Sequence, residues 1–276
     1  MKLISIVVIL STVLVGCDAS DDPDIPALIQ KSKLSVVRVV VLKIGPDKKP
    51  TPLIVGTGFV VDTGLVATAA HVVKDLPEGT IFFLVPANQE QFDIKQNSAK
   101  VLACEPKHDI AIIECPTLKS LPSLMLYPAS EVKIGEDALI LGFPLSDSTL
   151  TSTKSMVAAK SKRQILDDDP NLTDMFKLDT SINMGNSGGP VIHVRSGKVI
   201  GIVSSKIGSI SKNLQIFREK KPKGRITIAG DDPIGLIKNT LTDMERNLQL
   251  GLGYGVSVDY LKTLLNQVEQ KEKKKQ

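Results

Sequence analysis

The chain has 276 residues, of which 42% are hydrophobic, and a formal charge of +4. That length and composition suit a globular domain with a sizeable core. The charge gathers in 218–225 and 271–275 with no interleaved aromatic residues, which argues against a nucleic-acid-binding protein. The plain reading of both stretches is solvated loops, and the sharper one is contact with anionic lipid headgroups.

Residues 1–15 carry one basic residue, Lys2, and then an apolar run from Leu3 to Val15. The run is too short to span a bilayer comfortably and matches the core of a secretory signal. It closes on Leu14-Val15-Gly16-Cys17, which has the form of a bacterial lipoprotein cleavage box. Residues 1–16 are therefore expected to be a lipoprotein signal peptide, with Cys17 the acylated start of the mature chain. The simpler alternative is an ordinary secretory signal in which Cys17 is incidental. Each buried methylene of an acyl chain contributes about 0.8 kcal/mol, so more than one chain makes anchoring stable. Residues 17–26 are acidic and poor in apolar side chains, which predicts an extended tether. From Cys17 to Asp24 it reaches roughly 25–30 Å at most, at about 3.3–3.6 Å per residue. The domain is then held at a membrane surface in the bacterial cell envelope, facing the periplasm. Asp18, directly after the acylated position, resembles the inner-membrane retention signal of some Gram-negative lipoproteins, which favours the inner over the outer membrane.

Short β-branched runs follow, separated by turn signals such as Asp62-Thr63-Gly64 and Ser196-Gly197-Lys198. Strands are predicted at 35–42, 58–61, 65–68, 80–85, 99–104 and 109–114. More are predicted at 138–142, 152–158, 191–194, 199–204 and 255–258. Many short, regularly punctuated strands indicate an all-β sandwich or barrel. Between the last two, Asp232-Pro233 precedes Ile234, Ile237, Leu241, Met244 and Leu248. A capping aspartate, a first-turn proline and apolar spacings of 3 and 4 predict a helix over 233–249. It either packs on the β-domain or offers a surface to a partner or a second copy of the chain. Residues 269–276 read as a polar, basic tail.

After Cys17 only Cys104 and Cys115 remain. Glu105-Pro106-Lys107-His108 reads as the turn of the hairpin that carries both. In that hairpin Cys104 faces a residue near Ile110 and Cys115 one near Ala99. The offset of about five residues is roughly 15 Å, beyond the ~7 Å Cα limit of a disulfide. Both are expected to be small buried apolar residues.

The chemistry-bearing segment is Gly185-Asn186-Ser187-Gly188-Gly189-Pro190. A serine on a tight glycine-rich turn can expose its hydroxyl while nearby backbone N–H groups converge on one point. An acyl-transfer nucleophile needs that arrangement. Upstream lie Ala67-Thr68-Ala69-Ala70-His71-Val72-Val73 and His108-Asp109-Ile110-Ala111-Ile112-Ile113. The order His, Asp, Ser is that of the chymotrypsin arrangement. At these residues the chain resembles the trypsin-like serine proteases, and among them the bacterial Deg/HtrA branch. The resemblance runs from about Ala27 to Leu265. It takes in Gly56-Thr57-Gly58-Phe59-Val60-Val61-Asp62, Leu141-Gly142-Phe143-Pro144 and Leu178-Asp179-Thr180-Ser181-Ile182-Asn183, then Lys198-Val199-Ile200-Gly201-Ile202 and Gly253-Tyr254-Gly255-Val256-Ser257-Val258.

The resemblance implies two packed β-barrels with the active site in the cleft between them, plus a C-terminal helix. The protease domain would cover 27–268, with a first barrel at about 34–122, a second at about 131–260 and an insertion at 206–250. The barrel pattern ends near Gln267 with only a short polar tail after it, so the PDZ domain that family members often carry is not expected here. His71 is implied as general base and Ser187 as nucleophile. Asp109 would be the carboxylate that orients the base, and Asp179 a loop or pocket-shaping residue. The oxyanion hole would be the N–H groups of Gly185 and Ser187, with Asn186 contributing. Ser181, Ile182, Val203, Ser204 and Ser205 would wall the substrate pocket. No carboxylate stands near Ser181, so small or medium apolar residues are expected at the cleavage site, unless Lys206 points inward.

Of the other histidines, His108 is expected to be exposed and His193 structural. Asn186 replaces the aspartate that digestive relatives use to capture a new N-terminus, so no charge-driven zymogen switch is expected. Met184 stands where proline is frequent. No metal or cofactor is expected. The function implied is a membrane-anchored serine endopeptidase acting on unfolded or accessible polypeptide. The alternative is a protease fold used as a silent scaffold or chaperone.

Overall fold

The computed structural model describes residues 23–44, 50–74, 76, 80–89, 99–166, 169–206, 216–217, 219–220, 227, 232–247 and 251–274. The signal peptide, Cys17 and most of the tether lie outside the described residues. Chain order runs α1 (Ile25–Ser32), β1 (Val36–Ile44), β2 (Pro50–Asp62), β3 (Leu65–Thr68), α2 (Ala70–Val73), β4 (Thr80–Pro86), β5 (Lys100–Glu105) and β6 (Ile110–Glu114). It continues β7 (Asp137–Gly142), β8 (Thr151–Gln164), β9 (Leu172–Leu178), β10 (Pro190–His193), β11 (Lys198–Lys206), α3 (Pro233–Asn247), β12 (Gly253–Ser257) and α4 (Val258–Lys273).

The first six strands form one antiparallel sheet ordered β4-β1-β2-β3-β6-β5, and the last six close a barrel ordered β10-β11-β12-β9-β8-β7. Among the described residues no pairing joins β4 to β5, so the first half is an open sheet and the second a complete barrel. Each half fills its interior with branched aliphatics. Val37, Val39, Val60, Val66, Leu84 and Ile113 pack in the first, and Ile140, Val157, Leu178, Val191, Ile200 and Val203 in the second. A third cluster joins them: Val36, Phe59, Ile110 and Ile112 meet Leu141, Phe143, Ile202 and Val256. The seam is thus as apolar as either interior, which fixes the two halves against each other.

α4 straddles the seam, packing on β5 and β6 of the sheet and β11 of the barrel. Its buried Val258, Leu261, Leu264 and Val268 form one stripe at spacings of three and four, and Ser257 caps it by accepting from Asp259 N–H. α1 starts at Ile25, two residues inside the span assigned to the tether, because Asp24 accepts from Ala27 N–H and Pro26 suits the first turn.

Several sequence-based expectations need correction. β2 and β8 are longer than predicted, and β9 was not predicted. Cys104 pairs with Ala111 and is exposed rather than buried, because β5 is the edge strand of its sheet. Cys115 is buried and in no disulfide, its Sγ 3.3 Å from the Thr117 hydroxyl. α3 forms as expected, with Asp232 accepting from Ile234 and Gly235 N–H. Of its apolar residues, Ile237 and Met244 are 49% and 60% exposed, while Ile234 and Leu241 are half-buried. Leu248 lies outside the described residues. His108 is not exposed, its side chain being 12% accessible.

Candidate active site

His71 occupies α2, the one-turn helix that follows β3. Its imidazole is partly open to solvent, at 43% exposure. Asp109 lies across from it, at the end of the 3₁₀ turn Pro106–His108 and directly before β6. β3 and β6 are paired neighbours, so their ends bring the two residues together. Asp109 takes the left-handed conformation, φ 53° and ψ 45°, which aspartate tolerates better than most residues.

The Asp109 carboxylate is almost fully buried, and its oxygens are occupied. Nδ1 of His71 lies 2.9 Å from both oxygens, and the His71 backbone N–H donates to one of them at 3.0 Å. Ser204 of β11 donates its hydroxyl to the other at 2.5 Å. A buried carboxylate needs such donors. Together they fix the tautomer of His71, with hydrogen on Nδ1 and a lone pair on Nε2. Ser204 was expected in the pocket wall; its hydroxyl is turned to the carboxylate instead. Ser204 therefore links the barrel to the pair carried by the sheet.

Ser187, half-buried, lies on the turn between β9 and β10. Gly185 and Gly188 have φ of 94° and 85°. A Cβ on Gly185 would stand 2.1 Å from Phe143 O, and one on Gly188 2.1 Å from Thr57 O and 2.8 Å from Ala69 N. Only glycine satisfies both demands. The second contact brings the serine turn against the chain two residues before His71. From there, Ser187 O accepts from Thr57 N–H at 2.8 Å and Gly188 N–H donates to Val203 O at 2.7 Å. Val203 precedes Ser204. The serine turn, the imidazole segment and the carboxylate are thus tied into one backbone frame.

The N–H groups of this turn divide into two sets. Asn186 donates to Asn183 O, Gly188 to Val203 O and Gly189 to Asn186 O. The N–H groups of Gly185 and Ser187 meet no acceptor among the described residues. Their peptides are held from the carbonyl side, because Met184 O accepts from Leu145 N–H at 2.6 Å and Asn186 O from Gly189 N–H. Asn186 N–H is committed within the turn. Thr57 secures the turn from below: its hydroxyl donates to Gly185 O at 2.6 Å and accepts from Phe143 N–H at 3.1 Å. In the sequence Thr57 stands out only as part of the Gly56–Asp62 motif. A buried threonine between glycines carries no outward sign that its hydroxyl bridges two loops.

Ile182, 3% exposed, fills the space over Gly253, where a Cβ would meet its Cδ1 at 2.1 Å. Ile182 packs there with the buried cluster of the barrel. Val203 is buried in the barrel wall. Ser205 pairs with Tyr254 in the sheet, and its side chain, like that of Lys206, lies outside the described residues. Asp179 accepts from the Ser155 hydroxyl and the Met156 N–H and belongs to the β8 contact. His193 is buried, with Nδ1 on the Ser196 hydroxyl at 2.9 Å and Nε2 3.3 Å from Glu136. Among the described residues no group of three His, Cys, Asp or Glu side chains is placed to hold a metal ion.

Residues 56–202 match the family model described as a trypsin-like peptidase domain. The chain is 25% identical over 214 residues to the "Probable periplasmic serine endoprotease DegP-like" of Rickettsia conorii, covering 75% of this chain and 40% of that protein. It is 32% identical over 192 residues to the human "Serine protease HTRA4", covering 66% of this chain and 37% of that protein. A DegP-like endoprotease of Chlamydia muridarum is 34% identical over 148 residues, covering 53% of this chain and 27% of that protein. The chain thus spans well under half the length of these relatives.

Proposed function

The chain belongs to the trypsin-like peptidase family, in its Deg/HtrA branch, and from that premise we propose that it is a serine endopeptidase. The observation that carries the reading is the hold of Asp109 on His71 Nδ1, at 2.9 Å to both oxygens. Ser187 attacks the scissile carbonyl, and His71 Nε2 takes the hydroxyl proton. Asp109 stabilises the imidazolium that results and does not itself take the proton. The carbonyl oxygen, now negative, sits between the N–H groups of Gly185 and Ser187. His71 returns the proton to the leaving amine as the C–N bond breaks. Water then attacks the acyl ester as His71 takes its proton, and His71 returns that proton to the Ser187 oxygen as the acyl C–O bond breaks, releasing the acid product and the free serine. Asn186 plays no part as an oxyanion donor in this scheme, since its N–H serves Asn183.

The substrate class is polypeptide with a small aliphatic residue before the cleaved bond. Ile182 over Gly253 leaves a shallow pocket that fits alanine or valine and excludes arginine. The cellular setting is the bacterial envelope, with Cys17 lipid-modified and 17–24 tethering the domain to a membrane. The support is the cleavage-box pattern in the sequence and the periplasmic DegP-like relatives. Globomycin treatment of expressing cells should accumulate the unprocessed precursor, and Cys17→Ser should release the chain from membranes. Processing that ignores both would remove the anchor from the account.

The test of the activity is cleavage of a peptide library by the purified chain. Turnover after Val or Ala that vanishes in Ser187→Ala is expected. Cleavage concentrated after Arg, or cleavage that survives Ser187→Ala, would overturn the proposal.

A further inference from the structure

His108 precedes Asp109 and takes no part in the proton transfers above. Its ring lies on Tyr260 of α4, with centroids 3.8 Å apart and planes 21° from parallel. Its Nδ1 is 2.8 Å from the hydroxyl of Thr173 on β9. Thr173 is wholly buried, and its hydroxyl also donates to Lys107 O at 3.1 Å. A hydroxyl carries one proton. With that proton on Lys107 O, the hydroxyl accepts from His108, so Nδ1 is the nitrogen that carries hydrogen. Tyr260 donates to Asp174 Oδ2 and accepts from Asp174 N–H, both at 3.0 Å. Two consecutive barrel residues therefore grip the turn Pro106–His108 and the helix stacked on it. Burial lowers the pKa of His108 below its ordinary 6.5; Glu105, Asp169 and Asp174 pull it up and Lys107 pulls it down. The neutral ring agrees with the single-proton arrangement at Thr173.

The gripped turn ends in Asp109, whose left-handed backbone is held by its surroundings rather than by its own preference. Resting on the peptidase reading, we propose that His108 and Thr173 are positioning residues for Asp109. Through β9 and α4, the barrel sets the turn of the sheet on which Asp109 stands, and the two-oxygen hold on His71 exists only while this clasp is closed. With Ser204, the barrel then acts on the carboxylate from two sides.

The test pairs Thr173→Val, which removes the hydroxyl and keeps the shape, with Thr173→Ser, which restores the hydroxyl. Two quantities are read: kcat against KM on a valine peptide, and the downfield proton resonance of His71 Nδ1–H, which needs no turnover. Thr173→Val is expected to lower kcat about tenfold or more at unchanged KM and to shift or broaden that resonance, while Thr173→Ser recovers both. Should Thr173→Val fail to fold, His108→Phe, which keeps the stack and loses the bond, reads the same two quantities. A folded variant with an unchanged resonance overturns the clasp, whatever its rate. A wild-type chain that turns nothing over, yet shows the resonance and loses it in Thr173→Val, supports the clasp and sinks the peptidase reading alone.

Discussion

Each polar group around the site has a definite partner, so single atoms can be removed with predictable results. Thr57→Val leaves Gly185 O and Phe143 N–H buried without the hydroxyl, which should cost about 1–3 kcal/mol of stability. Loss of turnover beyond that expected from the unfolded fraction, followed by circular dichroism and rate, would show that the turn itself has moved. Unchanged stability would contradict its role as a bridge. Asp109→Asn should lower kcat on the order of 10⁴-fold, because the amide cannot hold the same tautomer of His71. Ile182→Ala should deepen the pocket and shift the kcat/KM ratio for leucine over alanine peptides about tenfold or more toward leucine. An unmoved ratio would mean that another residue sets the pocket floor. His71 and Ser187 stood out in the sequence because each lies in a run of small residues, whereas Asp109, which precedes an apolar strand, was singled out only through the family resemblance. Thr57 and the true partner of Ser204 were not, since a hydroxyl buried in a strand leaves no periodic trace. His108 was misjudged for a related reason: a histidine in a turn reads as exposed until the helix that covers it, 150 residues on, is known.

At the scale of elements, the loop after β7 and the segment after β11 make opposite points. Leu145 has φ 58° and ψ 26°, and its N–H holds Met184 O, which in turn aims Gly185 N–H outward. Leu145→Gly keeps both the conformation and the donor, so activity should persist. Leu145→Pro can supply neither, and kcat should fall roughly 10²–10³-fold, as when one oxyanion donor is lost. Equal activity in the two variants would show that the Leu145–Met184 bond is irrelevant to the hole. α3 shows how far a periodic pattern can be trusted. Capping and spacing predicted the helix well, but periodicity states only that one face is apolar, not that something covers it. Met244 on that face is 60% exposed, so Met244→Lys should change the unfolding free energy by less than about 0.5 kcal/mol. A loss of several kcal/mol in denaturant unfolding would mean that the face is covered after all. β9 was missed because Asp174 and Lys177 interrupt its apolar residues. Their side chains lie outside the barrel interior, and the strand is specified by pairing with β8 and β12 rather than by its own composition.

For the whole molecule, the arrangement of two β-halves around a seam followed from the many short strands together with the motif order. The exact pairing of the first half, in which no described residues join β4 to β5, was not legible, because it depends on strands distant in the chain. The seam also makes stability depend on pH in a definite direction. His108 is buried in its clasp and its pKa in the folded chain is lowered from 6.5, so the unfolded chain binds the proton more readily. Stability from this group is complete above about pH 6.5 and falls as pH drops through that value toward the lowered one. The melting temperature of the wild type should therefore decline between pH 7 and pH 5, and His108→Phe should flatten that decline. A slope that His108→Phe leaves unaltered would assign it to other groups. The central claim is that residues 71, 109 and 187 act as one unit across the seam. It is tested most directly by reacting the purified chain with a fluorophosphonate and locating the adduct by mass spectrometry. The account predicts a single phosphonylated serine at 187, formed in the wild type and lost or slowed at least 10²-fold in His71→Ala. A wild-type chain that stays unlabelled, or one labelled equally well without the imidazole, would contradict it.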